Sequence, residues 1–251
     1  MNADGFDDVV LGMPYFDDGQ TDEGRAALYL GSASGLSTVP AWSTDGNQIR
    51  AWLGFSAASA GDVNGDGFDD VVVGALYFDG DQADEGRAWL YLGSSAGLAL
   101  NAAWSAEGNQ AGANFGFPVA SAGDVNGDGF GDFVVGAVRH SAGVREEGRA
   151  YLYTGAASGP SGLPSWRATG GEELANFGFG ACSAGDLDGD GYGDLVVGAP
   201  GGNTSMPGSV RTYQGSSAGL SREPSWVATG GSLDGNLGIS CSSGDVNGDG
   251  Y

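Results

Sequence analysis

Asp62-Val63-Asn64-Gly65-Asp66-Gly67-Phe68-Asp69-Asp70 runs directly into the apolar segment Val71-Val72-Val73-Gly74-Ala75. Oxygen-bearing side chains stand at its first, third, fifth and ninth positions (Asp62, Asn64, Asp66, Asp70). Gly67 at the sixth permits a sharp turn, and Phe68 at the seventh offers a backbone carbonyl. A hard cation such as Ca²⁺ takes roughly six to eight oxygens at ~2.3–2.6 Å, and one tightly curled segment with this spacing can gather most of them. An EF-hand would carry a bidentate Glu at the twelfth position; Val73 stands there instead. The ligand set closes at Asp70 and a strand begins at once, so the segment reads as a β-turn-β calcium loop.

The loop recurs. Asp124, Asn126, Asp128, the Phe130 carbonyl and Asp132 form a second copy; Asp186, Asp188, Asp190, the Tyr192 carbonyl and Asp194 form a third. Partial copies lie near both ends, Asn2, Asp4, Phe6 and Asp8 at one and Asp245, Asn247 and Asp249 at the other. Aspartate and glycine are common in turns, but turn chemistry does not place four oxygens at fixed offsets three times over. Converging carboxylates without a cation would repel one another and take up protons. The expected cofactor is Ca²⁺ at three or more sites, with a fourth possible at the termini.

Each copy sits in a longer repeat. A run of small residues precedes the loop, and an apolar run follows it (Val9 to Leu11, Val71 to Val73, Phe133 to Val135, Leu195 to Val197). A variable loop then leads to Gly-Arg-Ala-Trp-Leu-Tyr-Leu-Gly (Gly86 to Gly93) or its relatives at Gly24, Gly148 and Gly208. A segment centred on Trp42, Trp104, Trp166 or Trp226 completes the unit. Four β-like runs per unit, with no 3.6-residue period, predict four-stranded antiparallel sheets. The second run is apolar at consecutive positions, so both of its faces must be covered, which stacked sheets achieve. The fold expected is an all-β propeller of about four blades, one region spanning 1–251 with repeats near 1–61, 62–123, 124–185 and 186–244, and 245–251 opening a further loop. A β-solenoid fits less well, because its usual repeat is shorter than ~60 residues.

Composition narrows the function. Asp and Glu total 32 against 9 basic residues, all arginine, for a formal charge of −23. That surface repels phosphate backbones and anionic lipid, so nucleic-acid binding is excluded as a working reading. No apolar stretch approaches the ~20 residues of a membrane-spanning helix. Fifty glycines without a Gly-X-Y period exclude collagen, and 6 Trp, 9 Tyr and 11 Phe argue against a disordered linker.

Phe115-Gly116, Phe177-Gly178 and Gly198-Ala199-Pro200, flanking the calcium loops, resemble FG-GAP repeats, the units of the integrin α-subunit propeller and of many bacterial secreted or surface proteins. The lysine-free composition looks more like a bacterial member. The resemblance implies a calcium loop between the first and second strands of each blade, extracellular placement, and non-catalytic roles in adhesion or in recognition of a protein or glycan. The resemblance also implies a ring that is typically seven-bladed. Asn2, Asp4 and Phe6 duplicate Asn247, Asp249 and Tyr251, so a closed site would have redundant ligands, and the half-loops favour an incomplete ring, continued by further repeats or completed by another chain. Closure by pairing Gly238 to Ser243 with the first blade is the alternative. By the family topology the variable loops between second and third strands lie opposite calcium. Tyr15, Phe16, Tyr77 and Phe78 in those loops are the candidate ligand-binding residues.

Rival readings are a domain of a polysaccharide-degrading enzyme and a structural spacer. The inventory for catalysis is thin: His140, the single histidine, reads as a solvated loop residue. The four aligned tryptophans read as packing between blades. Cys182 and Cys241 read as small groups on inner strands; a disulfide would require their Cα atoms within ~7 Å.

Overall fold

The computed structural model describes residues 1–201, 207–233 and 235–243. They form fifteen strands and, among the described residues, no helix. The first sheet holds β1 (Val9–Met13), β2 (Arg25–Tyr29) and β3 (Trp42–Asp45). The second holds β4 (Leu53–Gly61), β5 (Asp70–Ala75), β6 (Arg87–Tyr91) and β7 (Trp104–Glu107). The third is β8 (Phe115–Gly123), β9 (Asp132–Ala137), β10 (Arg149–Tyr153) and β11 (Trp166–Thr169). The fourth is β12 (Gly180–Gly185), β13 (Asp194–Ala199), β14 (Ser209–Tyr213) and β15 (Trp226–Thr229). All pairings within these sheets are antiparallel between chain neighbours. These are the blades of a β-propeller, and the first has three strands because β1 pairs only with β2 among the described residues.

The blades stack on their second strands, as the consecutive apolar residues require. Along β5, Val71, Val73 and Ala75 pack into one core with Ala26, Leu28 and Trp42 of the first blade. Val72 points the other way, into a core with Phe133, Val135 and Tyr153 of the third. A third core joins Val134, Leu152 and Trp166 to Leu195, Val197 and Tyr213.

In the first three blades the tryptophan of the last strand reaches the following blade. Trp42, Trp104 and Trp166 are buried, and their indole N–H groups donate to the carbonyls of Ala99 (2.9 Å), Ser161 (3.0 Å) and Ser221 (2.8 Å). Trp226 is 55% exposed. The packing role holds for the first three; no described blade follows the fourth.

The two glycines of the repeat motif have a shared steric cause. A Cβ on Gly74 would overlap the carbonyl of Gly116 on the neighbouring inner strand, and Gly12 meets Gly54 and Gly198 meets Gly238 in the same way. Gly116 itself has φ +94°, a left-handed value that side-chain-bearing residues rarely adopt. The second and first strands of adjacent blades therefore touch backbone to backbone. Gly74→Ala is expected to cost about 3 kcal/mol, since neither backbone can retreat without unpairing its sheet. A chemical denaturation midpoint unchanged from wild type would count against this reading.

The cysteines depart from expectation. Cys182 on β12 and Cys241 on the next inner segment form a disulfide, with Cα atoms 6.0 Å apart. Their equivalent repeat positions explain the meeting: adjacent inner strands run side by side, so matching residues face each other. Neither cysteine is fully buried.

Candidate metal centre

The chain curls at each acidic loop because the first aspartate gathers the backbone around itself. Asp62 Oδ1 accepts the N–H groups of Gly65 (2.7 Å) and Asp66 (3.0 Å), and Oδ2 accepts that of Gly67 (2.8 Å). Asp124 and Asp186 repeat all three bonds in their loops. Gly67, Gly129 and Gly191 have φ near +90° (89°, 87° and 91°), the sharp turn that the sixth position requires. The third and fifth side chains cap the turn: Asn64 Oδ1 accepts from Asp66 N–H, and Asp66 Oδ1 accepts from Phe68 N–H.

The ninth residue is different in kind. Asp70, Asp132 and Asp194 are buried at the start of the second strand. Asp70 accepts N–H groups from Val63 (2.9 Å) and from Gly93 (2.8 Å), one on each oxygen. Asp132 does the same with Val125 and Gly155, and Asp194 with Leu187 and Gly215. Each carboxylate thus ties its loop to the end of the third strand. Burial pushes the pKa of Asp70 and of Asp132 up to about 6, against the pull of the two N–H donors. The nearby loop aspartates add to the rise.

The donor set suits a hard cation. Every side chain offered is an oxygen, and in the third loop one carboxylate oxygen from each of Asp186, Asp188 and Asp194 lies within 4.8 Å of the others. Partial desolvation and the charges of Asp190, Asp194 and Asp186 raise the pKa of Asp188, a strain that a divalent ion relieves. Each ninth carboxylate retains lone pairs beyond its two N–H contacts. The residues that would hold Ca²⁺ are therefore Asp62, Asn64, Asp66, Phe68 O and Asp70, with the corresponding residues of the next two loops. At the N-terminal partial site Asn2, Asp4 and Phe6 make the same turn, and Asp8 accepts from Asn2 and Gly31 N–H. Asp245, Asn247 and Asp249 lie outside the described residues.

Successive loops are coupled, which repeat spacing alone does not reveal. Gly131 N–H donates to Asp62 O (2.7 Å), and Gly193 N–H to Asp124 O (2.8 Å). The aromatic seventh residue covers the preceding loop: Phe130 lies over Gly65 and Tyr192 over Gly127.

At the opposite ends of the second strands, the four candidate recognition residues divide. Tyr15 and Tyr77 both meet Trp52 edge-on, at centroid distances of 4.9 and 4.7 Å. Phe16 and Phe78 instead lie under the guanidinium groups of Arg25 (4.0 Å) and Arg87 (4.5 Å). Trp52, which joins the two tyrosines, has no counterpart in the other repeats and was not legible as a site residue. The glutamates Glu23, Glu85 and Glu147 are also buried on this side. Glu147 accepts N–H groups from Ala142 (2.8 Å) and Gly171 (3.0 Å) and shapes its loop. Their signal was the recurring Glu-Gly-Arg triplet.

His140 is not solvated but buried, its Nδ1 3.0 Å from Gln110 Oε1. The variable loop folds back on the preceding blade, where Gln110 also binds the backbone of Ser141.

The FG-GAP repeat model matches residues 54–91 and 177–219, and the FG-GAP-like repeat model matches 124–197. Integrin alpha-PS2 of Drosophila melanogaster is 34% identical over 214 residues, covering 79% of this chain and 14% of that protein. Integrin alpha-5 of Xenopus laevis is 31% identical over 239 residues (89% and 21%), and integrin alpha-V of Gallus gallus 33% over 218 (82% and 20%). The chain thus spans about a fifth or less of the length of these relatives. The crystal structure of the exotype rhamnogalacturonan lyase YesX shares 17% identity at a TM-score of 0.48, over 96% of this chain and 41% of that one. The paired glycines at each blade contact, the calcium-type loop before each second strand and the matches to the repeat models and the integrin α chains make the chain a member of the FG-GAP repeat family.

Proposed function

We propose that this chain is a calcium-stabilised, non-catalytic recognition module working outside the cell, with adhesion or ligand capture as its task. The observation that carries the reading is the buried ninth carboxylate, repeated in three loops, each beside a turn whose other donors are all oxygens. Sites of this kind in extracellular modules bind with Kd of ~10⁻⁴–10⁻³ M and fill at the millimolar Ca²⁺ found there. The disulfide supports the same compartment, because thiols stay reduced in most cytosols. The match to integrin α chains over most of this sequence supports a role in binding over one in catalysis.

Recognition falls to the face opposite the calcium loops, where Tyr15, Trp52 and Tyr77 form one aromatic cluster. Tyr15 is 60% exposed and is its most accessible member. A glycan array and a panel of immobilised matrix proteins, probed in millimolar Ca²⁺, test this. Binding that falls about tenfold in Tyr15→Ala/Tyr77→Ala supports the assignment. Wild-type protein that binds neither panel would leave a spacer as the better reading.

A further inference from the structure

An open cleft of about 490 Å³ lies at the seam between the second and third blades, within the size range of small-molecule sites. At the equivalent seam between the first and second blades, Phe78 and Trp89 pack edge to face, 5.4 Å between centroids. Arg87 lies over both rings and is neutralised by Glu107. Three replacements change the third blade: His140 stands for Phe78, Tyr151 for Trp89 and Thr169 for Glu107.

The last replacement decides the electrostatics. Strand register pairs Arg25 with Asp45, Arg87 with Glu107, and Arg149 with Thr169. Arg25 and Arg87 form ion pairs with their cross-strand acids, whereas Arg149 has no carboxylate within 4.0 Å among the described residues. The neighbouring Glu147 spends its oxygens on backbone N–H groups and the Thr169 hydroxyl. The Arg149 Nε is buried without a hydrogen-bond partner, as is that of Arg87, whose charge Glu107 meets. Arg167 lines the same cavity, also without an ion-pair partner among the described residues. Glu107, the one acid of the lining, is already paired with Arg87.

The remaining walls are suited to a ring. Leu163 and Pro164 supply the accessible apolar surface, while Tyr151 and Tyr153, packed against His140, Phe133 and Trp104, border the cleft with little free area. His140 is neutral at pH 7, its pKa pushed down to about 4 by burial and by Arg149, with Glu147 opposing. Gln110 is oriented by the Ser141 backbone so that its Oε1 faces His140 Nδ1. Nδ1 therefore carries the proton and Nε2 is left as an acceptor for a hydroxyl. A second cavity, about 590 Å³, shares Leu163, Pro164 and Arg167 and adds Arg222, extending the groove.

We infer that this groove binds a sugar acid, a single carboxylate carried on a ring with one apolar face, such as a hexuronate. Arg149 and Arg167 hold the carboxylate, and Leu163 and Pro164 take the apolar face of the ring. Paired guanidinium groups favour a planar carboxylate, and apolar walls with a few placed polar groups favour a ring over a bare ion. The −23 charge of the chain opposes every anion, and a dianion more than a monoanion, which disfavours phosphate and sulfate. The inference stands apart from the aromatic cluster on the loop face, and failure of either leaves the other intact.

Calorimetric titration of the calcium-loaded chain with glucuronate or galacturonate, with glucose and with inorganic sulfate tests it. Saturable uronate binding, at least about tenfold tighter than glucose and not displaced by equimolar sulfate, is expected. Thr169→Glu, which restores the acid present in the first two blades, is expected to weaken uronate binding by about tenfold or more without lowering the melting temperature. Thr169→Val, which leaves Arg149 uncompensated, is expected to keep binding within about threefold of wild type. No uronate binding, equal binding of glucose, displacement by sulfate, or full binding by Thr169→Glu would each overturn the assignment.

Discussion

Chelation of calcium is expected to lower the melting temperature of this chain by roughly 10 °C at neutral pH. Three sites, if held at about ten times their Kd, would each stabilise the native state by about 1.4 kcal/mol, for a total near 4 kcal/mol. For a chain of this size each kcal/mol moves the midpoint by about 2–4 °C. Added Ca²⁺ restores the midpoint. Mg²⁺ does so much less, because it demands near-octahedral geometry and sheds water reluctantly. Coupling between loops through Gly131–Asp62 and Gly193–Asp124 predicts one shared transition in calorimetry, not separate losses blade by blade.

The pH dependence has a definite sign. Asp70 and Asp132 sit near pKa 6 in the metal-free fold, above the ordinary carboxylate value of 3.8. Without metal, the native state holds these protons more tightly than the unfolded chain. Their contribution to stability is complete at low pH and is lost as pH rises through about 6. Ca²⁺ requires the anions, so its affinity rises over the same window. The chelator-induced shift is therefore larger at pH 7.5 than at pH 5. An equal shift at both, or an unchanged melt in chelator at pH 7.5, would remove the carboxylates from the role assigned to them.

Asp132→Ala is expected to be the most damaging single substitution at these loops, costing about 4 kcal/mol in chelator at pH 5, where the contribution of the native carboxyl is retained. It strands two N–H donors, those of Val125 and Gly155, at about 1–3 kcal/mol each. The third blade is also packed on both faces, so relaxation is limited. Asp128→Ala removes an exposed oxygen of the same loop. It is expected to lie within about 1 kcal/mol of wild type in chelator, and to lose most of one ion's stabilisation in Ca²⁺. Equilibrium denaturation of both variants in both buffers separates the structural from the metal-binding part of the ninth aspartate. Equal effects of the two in chelator would contradict the burial argument.

Much of the fold was legible because its cause is local and repeated. The loop at Asp62 to Asp70 fixes a turn by short-range side-chain-to-backbone bonds, and the consecutive valines of β5 demand covering on both faces. Copies of these features in register left little choice but stacked, four-stranded sheets. The burial of Trp42, Trp104 and Trp166 followed from the same periodicity. Trp226 is exposed because no described blade packs against it, which no local pattern encodes.

The side chains that looked alike in sequence proved unlike in space. Tyr15 and Phe16 are neighbours, yet one meets Trp52 and the other lies beneath Arg25. His140 sat in a variable polar segment that gave no sign of burial, because the glutamine that receives it lies thirty residues earlier on another blade. The cysteines were 59 residues apart and only the side-by-side inner strands brought them into bonding range.

The amino-acid sequence alone therefore determined the repeating unit: the oxygen-lined turn and the doubly buried strand after it. Each depends on contacts within a few residues or on a period, and both survive without knowledge of the neighbours. Tertiary structure alone decided which arginine was left without an acid, which aromatic rings met and which thiols joined. Those outcomes depend on register between strands and on the packing of one blade against the next, where Thr169, standing in the third blade where the second has Glu107, leaves Arg149 without a cross-strand acid and the chain's local pattern unchanged.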